Sequence, residues 1–544
     1  MKNGTKRVLL HCAVVFAAVL LGICLLRTAG PKGSAVSAVQ MDSFNAGLEP
    51  QQSEDDYRTT YEIFVGSFSD SNDDGTGDLE GIRRKLDYIQ ETGFDQIWLT
   101  PVFPSDTYHK YDVKDYCAID PAFGTLDDFD RLLNECHSRG IRVLLDLPLN
   151  HTSSSHPWFL QAAEYMKTTN SPEQIDLSVC PYAGYYRFER EASDGYAPLG
   201  YSGWYYEARF WSEMPDLNLD SAAVRSEIRD ILSFWLARGV DGFRLDAVTS
   251  YYTGNQDANT DFLRFVCSTC REIRPDCYLV GEAWADRSTI AGLYESGIDS
   301  LFDFPFGDQS GFICRTMRND LSAEDFVNAM ILYENTYAEH NPHHIDAPFY
   351  TNHDMGRSAG YYALDDGPVT KMAYALNLFM RGNVFVYYGE EIGMKGSGRD
   401  ENKRYPMQWG EEAYTCIPVE GTEEVEMKFP SLKDQMADAL SVYHWFREVI
   451  RVRNSFPVIA RGTTAAVDEL CSDRIAAFIR WKEGLEPVLI IMNLSAEQAD
   501  IDTGVLQEPL RLSAVLNTDE EQVLYEKGIL HLPGCSIAVL TENE

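Results

Sequence analysis

LDDFDRLLNECHSRGIRVLLD (126–146) and VRSEIRDILSFWLARGVDGFRLD (224–246) share one plan. In each, apolar residues recur at helical spacing, an Arg-Gly pair closes the helix, and a short apolar strand ends on an aspartate. A glycine just past the last turn supplies the left-handed residue that stops a helix. A helix returning straight into a wholly apolar strand indicates a parallel sheet buried on both faces. Strands of the same kind read at 60–66, 94–100, 277–282, 300–306, 346–354 and 383–390. Together they make eight, most separated by helix-like segments, across about 390 residues, and the expectation is a (β/α)8 TIM barrel.

Residues 57–150 and 221–456 then form the barrel. Residues 151–220, rich in Tyr, Gly and Ser and without helical periodicity after Met166, read as an irregular domain inserted after the third strand. From 457 to 544, runs such as RIAAFIRW (474–481) and PVLIIMNLS (487–495) read as a C-terminal antiparallel β-sandwich.

With 544 residues and 44% hydrophobic content the chain can bury several cores. Its 46 Lys and Arg against 84 Asp and Glu leave a net charge of −38, which excludes nucleic acid as a partner and suits a neutral substrate. Lys2, Lys6 and Arg7 precede an uncharged apolar run from Val8 to Leu26, closed by Arg27. That pattern predicts a signal anchor, with a cleaved signal peptide as the alternative. Residues 1–56 are therefore leader plus a small, polar, acidic linker (28–56). The remainder is expected to be extracellular, tethered or secreted, monomeric, and in contact with membrane only through its N-terminal segment. Of twelve cysteines, Cys12 and Cys24 fall in the apolar run, and no pairing of the other ten can be deduced.

In a barrel enzyme the reacting groups gather at the C-terminal ends of the strands. Those ends carry Asp146, Asp246, Glu282 and Asp354. Convergent carboxylates without a nucleophilic Ser or Cys motif or a phosphate loop point to glycoside chemistry, where one carboxylate attacks the sugar carbon and one carboxylic acid protonates the leaving oxygen. A separate feature is DSNDDGTGD (70–78), which spaces oxygen ligands around Gly75 as a calcium loop does. A strand precedes it, and Gly81 stands where a helix–loop–helix sensor has its bidentate Glu. The expectation is a structural Ca2+ site on a strand-to-helix loop, the alternative an empty Gly/Asp turn.

DLPLNH (146–151), GFRLD (242–246), GEAW (281–284) and YTNHD (350–354) resemble, in order, the four sequence blocks of the α-amylase family of glycoside hydrolases. MPDLN (214–218) resembles its fifth block, and YHKYDVKDYCAIDPAFGT (108–125) and YPMQW (405–409) match its habit. The resemblance implies Asp246 as nucleophile, Glu282 as general acid/base with a raised pKa, and Asp354 as transition-state stabiliser. Arg244 would hold Asp246 ionised. Tyr111, Asp112, His151, His353 and Arg357 would bind substrate, an α-glucan. Asp70, Asn72, Asp74, Asp78 and the Thr76 carbonyl would bind calcium. Asn150 begins a second calcium site in many amylases, but no partners for it can be named. MPDLN lies between the forms of polymer-cutting and oligosaccharide-cutting relatives, and Ala247 favours α-1,4 bonds. Thr249 and Ser250 depart from the Lys and His of many amylases. The reading is therefore an α-amylase. An exo-acting α-glucosidase, an oligo-α-1,6-glucosidase, a transglycosylase and, remotely, a non-catalytic amylase-like ectodomain stay open.

Overall fold

The parallel strands follow the predicted rhythm. β1 (Thr59–Ile63), β2 (Gln96–Leu99) and β3 (Arg142–Leu147) come first. Three short strands then belong to the insertion: β4 (Phe188–Glu189), β5 (Tyr196–Pro198) and β6 (Tyr205–Glu207). The main sheet resumes with β7 (Gly242–Leu245), β8 (Tyr278–Gly281), β9 (Ser300–Leu301) and β10 (Val384–Tyr387). This computed structural model describes residues 41–51, 55–362, 364–365, 367–411 and 413–543. The expected anchor at 8–26 lies outside them. Among the described residues no helix is long and apolar enough to cross a membrane.

The seven parallel strands run in the order β10-β1-β2-β3-β7-β8-β9. Between β9 and β10 the expected strand 346–354 is reduced to two parallel bridges, Phe302 with Ala347 and Phe349 with Phe385. Pro348 sits between them and has no N–H to give to a ladder, which limits the pairing. The bridges still carry the sheet round to β10, so the sheet curls into the barrel. Alternation along the strands sorts the side chains. Trp98, Leu144, Tyr278, Val280, Phe302 and Phe385 fill the interior, while Ile97, Leu99, Val143, Leu145, Phe243 and Leu245 belong to the layer shared with the helices.

The two helices read first are at Leu126–Ser138 and Ala222–Arg238. Thr125 and Asp128 form a reciprocal capping box at the first. Gly239, at φ 106°, ends the second in the left-handed region. Trp235, wholly buried, packs against Phe103 and Phe129 and donates its indole N–H to the Tyr116 carbonyl at 2.8 Å.

The insertion holds a helix (Pro157–Thr168) and an antiparallel sheet ordered β4-β6-β5. Past the barrel lie β11 (Thr463–Ala466), β12 (Ile475–Trp481), β13 (Val488–Asn493), β14 (Ala499–Asp502), β15 (Leu510–Asn517), β16 (Leu524–Glu526), β17 (Ile529–Leu532) and β18 (Ser536–Glu542). They form a sheet ordered β11-β12-β13-β18-β15 and a smaller one ordered β14-β17-β16. Ile491, Val515, Leu530 and Leu540 share the core between them. All ten described cysteines are free.

The reading of 28–56 as a plain linker needs correction at its end. Residues Met41–Asn45 form a helix, and Asn45 exchanges both amide hydrogen bonds with the Val515 backbone, at 2.8 and 3.2 Å. Arg451 also donates to the Leu48 carbonyl at 3.1 Å. An asparagine side chain can mimic a peptide unit, and here it satisfies the open edge of β15.

Trp235→Ala should destabilise the protein by about 3–5 kcal/mol, because it empties a large core site and orphans a buried carbonyl. Urea unfolding of the variant against the parent measures this, and a cost below about 1 kcal/mol would contradict the packing described.

Candidate active site

Three strand ends and the bridged segment that precedes Asp354 bring the acids to one mouth, and a buried arginine gathers three of them. Arg244 in β7 is fully buried. Its Nη1 donates to Asp246 Oδ1 at 2.6 Å and to Asp146 Oδ1 at 2.9 Å, and its Nη2 lies 3.1 Å from Glu282 Oε1. Positions 244 and 246 are two apart on an extended chain, so both side chains point the same way. Asp146, inside β3, also accepts from the Trp98 indole at 3.2 Å and the Tyr111 hydroxyl at 2.9 Å. The backbone N–H of Ala247 donates to Glu282 Oε2 at 2.9 Å. Ala247 pays for that position with φ 46°, a left-handed geometry uncommon for a residue with a Cβ.

One guanidinium cannot neutralise three carboxylates. Burial, with Arg244 opposing and the Asp246 and Asp354 charges assisting, pushes Glu282 up to about 7. Burial also raises Asp246 above its ordinary value, opposed first by Arg244. Arg244 pairs with Asp246 but is shared with Asp146 and Glu282, and burial raises Asp146 as well.

Asp354 stands in a second, better compensated group. Burial would raise its pKa, but His353 and Arg404 outweigh that and hold it well below the usual carboxylate range. Arg404 Nη2 donates to Asp354 Oδ1 at 2.8 Å, and His353 Nε2 lies 3.1 Å from Oδ2. Burial lowers the pKa of His353, yet Asp354 and Glu62 lift it to about 10, so the ring is an imidazolium. Its Nδ1 donates to Glu62 Oε1 at 2.6 Å and its Nε2 approaches the Tyr111 hydroxyl at 2.7 Å. Tyr111 stacks on this ring at 5.6 Å and 13°. His151 is buried too, but without an acid partner; burial lowers its pKa to about 4 and it stays neutral, one ring nitrogen 3.3 Å from the Tyr111 carbonyl.

Asp246, Glu282, Asp354, Arg244, His353, Tyr111 and His151 thus meet at one site. Two predicted residues do not. Asp112 accepts from the hydroxyls of Ser105 and Thr107 and from the Asp106 N–H, which ties its own loop. Arg357 is fully buried, donates to the Tyr388 and Lys403 carbonyls at 2.5 and 3.1 Å, and lies over the Tyr387 ring. Sequence reasoning missed Arg404 and Glu62. Arg404 directly precedes YPMQW, and Glu62 is an acid within an otherwise apolar strand; either could have been read as a signal.

In the 70–78 loop, Asp70 accepts from the N–H groups of Asn72, Asp73 and Gly75 at 2.6–2.9 Å. Asn72 accepts from Asp74, and Asp74 from Thr76. Asp78 caps the helix Leu79–Arg84 through the Gly81 N–H and accepts from Ser71. Burial and the charges of Asp70, Asp78 and Asp74 together raise the thiol pKa of neighbouring Cys416. The donors are all hard oxygens, which fits calcium. In this conformation they face loop N–H groups, and no three His, Cys, Asp or Glu side chains converge as a metal cage among the described residues. Asn150 instead donates to Asp216 Oδ1 at 3.1 Å.

A family model described as the catalytic domain of alpha amylase matches residues 62–462. "Alpha-amylase 3" of Dictyoglomus thermophilum is 36% identical over 452 residues, covering 80% of this chain and 84% of its own. "Oligo-1,6-glucosidase" of Heyndrickxia coagulans is 28% identical over 535 residues, with 81% and 92% covered. Among solved structures, "Eubacterium rectale Amy13B" superposes with a TM-score of 0.90 at 44% identity, covering 94% of this chain and all of that one. The alpha-amylase from H. orenii gives 0.78 at 32% identity, with 90% and 99% covered.

The raised pKa of Glu282 has a measurable consequence. If its proton is the one delivered to the leaving group, kcat/KM should fall about tenfold per pH unit above about 7, because the folded site loses that proton as pH rises through this value. A flat profile from pH 6 to 9 on an unactivated glycoside would contradict it.

Proposed function

The chain belongs to the α-amylase family of glycoside hydrolases, and from that premise we propose that it cleaves internal α-1,4 bonds of starch and maltooligosaccharides with retention of configuration. The observation that carries the reading is the single guanidinium of Arg244 in contact with both Asp246 and Glu282. Carboxyls held on one cation are near neighbours, as a retaining pair at about 5–5.5 Å must be. Asp246 attacks the anomeric carbon from one face while Glu282 gives its proton to the glycosidic oxygen. The sugar is then esterified to Asp246. Glu282, now ionised, takes a proton from water, whose oxygen displaces Asp246 and restores both groups. Asp354, fixed as a carboxylate by His353 and Arg404, binds hydroxyls of the distorted sugar, and His151 and Tyr111 border the same subsite. The α-amylase relatives support the choice of bond; the oligo-1,6-glucosidase relative supports an exo-acting, α-1,6-specific alternative.

Asp246→Asn and Glu282→Gln should each lower kcat by several orders of magnitude with the melting curve preserved. NMR of the first product from starch should show the α anomer and a spread of oligosaccharides. An initial β anomer would remove Asp246 as nucleophile, and glucose as the sole early product would favour the exo alternative.

The 70–78 loop is proposed as a structural calcium site held by Asp70, Asn72, Asp74, Asp78 and the Thr76 carbonyl; calcium there would supply charge neutralisation and no chemical step. Calcium binds only the folded loop, so millimolar Ca2+ should raise the melting temperature relative to chelator. Asp70→Ala with Asp74→Ala should abolish the difference. Identical wild-type melting in both conditions would leave the loop an ordinary turn. The apolar run at 8–26 supports export, with the enzyme acting outside the cell on glucans.

A further inference from the structure

Glu62 is an acid inside the barrel. It lies in β1, 1% exposed, in register with Trp98 of β2 and Tyr387 of β10. A carboxylate there is costly unless its charge is met. His353 meets it twice, with ring Nδ1 at 2.6 Å and backbone N–H at 3.3 Å, both to Oε1. The other ring nitrogen, Nε2, lies 3.1 Å from Asp354 Oδ2 and 2.7 Å from the Tyr111 oxygen. Tyr111 gives its own hydroxyl hydrogen to Asp146, so its oxygen accepts at the ring. Acceptors therefore face both edges of the imidazole. A neutral ring has a single N–H and an ionised carboxylate only accepts, so the doubly protonated ring is the form that satisfies both sides. Asp146 is a further acid near the ring. Two cations oppose its charge: Arg404, which donates to the His353 carbonyl at 3.2 Å, and Arg244, whose charge reaches Glu62. Burial opposes it too, yet Asp354 and Glu62 lift the ring to about 10.

We propose that Glu62 is a positioning residue of the reaction: from behind the ring it obliges His353 to carry protons on both nitrogens, so that a charged donor aimed at Asp354 borders the sugar being cleaved. This rests on the proposed function, because it is the role of Asp354 toward the distorted sugar that makes its surroundings part of the reaction. A charge-assisted hydrogen bond is roughly twice as strong as a neutral one. With Glu62 on one edge and Asp354 on the other, the ring has no second tautomer to adopt when substrate enters.

The test follows the His353 ring nitrogens by NMR in the full chain as pH is raised. In the parent both should carry protons at neutral pH. In Glu62→Gln, whose amide can donate to a bare Nδ1, the ring should lose its proton at least about one pH unit lower than in the parent. Kinetics on α-maltosyl fluoride give a second reading, because departing fluoride needs no proton from Glu282 and kcat/KM leaves that group out. The imidazolium is lost as pH rises, so the alkaline fall on this substrate should also begin at least about one pH unit lower in Glu62→Gln. A parent ring with a bare Nδ1 at neutral pH overturns the proposal, and the parent spectrum decides this even where the variant fails to fold. A variant ring that titrates with the parent, or a fluoride profile that does not move, overturns it as well. NMR reads the ring whether or not the protein turns substrate over. A parent inactive on both starch and the fluoride would instead overturn the proposed function.

Discussion

The arrangement depends on one buried cation. Arg244 has no exposed surface, and the carboxylates around it come from three different strands. Burying a guanidinium is costly unless its charge is met, so the barrel must deliver Asp146, Asp246 and Glu282 together or leave the arginine uncompensated. The converse also holds. Three carboxylates in so small a volume repel one another, and without Arg244 they would not share it as anions. The site is thus defined by an imbalance of charge rather than by neutrality. One positive group faces three acids, and burial raises the pKa of each.

Burial raises all three carboxyls around Arg244, Glu282 to about 7, and their surroundings differ in the donors that oppose it. Asp146 is held by the Trp98 indole and the Tyr111 hydroxyl as well as by Arg244. Asp246 has the shortest contact to the arginine, at 2.6 Å. Glu282 has one backbone N–H and a longer approach to Nη2. Asp354 is removed from the competition altogether, since His353 and Arg404 hold it ionised. His353 can serve only because Glu62 in β1 sits behind it and keeps the imidazole charged. Glu282, Asp246 and Asp354 differ less in their own chemistry than in how many donors each has been given.

Most of the barrel was legible because its signals are local. A helix closed by Gly239 and a strand ended by Asp246 are written in adjacent residues, and the structure places both as read. The strand at 346–354 was legible in composition but not in extent, since Pro348 interrupts its pairing at a point that sequence spacing does not weigh. The acids on strand ends were legible; their compensating charges were not. Arg404 reaches Asp354 from 50 residues away, and Glu62 reaches His353 across 291. Arg357, nearer to Asp354 in sequence, was the natural guess, yet its guanidinium is spent on the Tyr388 and Lys403 carbonyls. Residues 41–51 read as linker because composition reports solubility, whereas the docking of Asn45 depends on an open strand edge 470 residues later.

The position of Arg404 ties the acidic loop to the active site. The turn after β1 and the 70–78 loop hold the segment that follows Arg404 at four points. Met407 N–H donates to the Ser67 carbonyl at 3.0 Å, the Trp409 indole to Phe68 at 2.7 Å, Asp70 N–H to Tyr414 at 3.2 Å, and Ile417 N–H to Gly75 at 2.8 Å. Gly75, at φ 91°, has no room for a Cβ against Ile417. The segment that positions the partner of Asp354 is therefore pinned by a loop dense in negative charge. Local opening of such a loop would release 407–417 and, with it, the restraint on Arg404. A bound cation would oppose that opening by neutralising the loop. Its effect on catalysis would then travel through the Arg404–Asp354 ion pair rather than through any contact with the substrate.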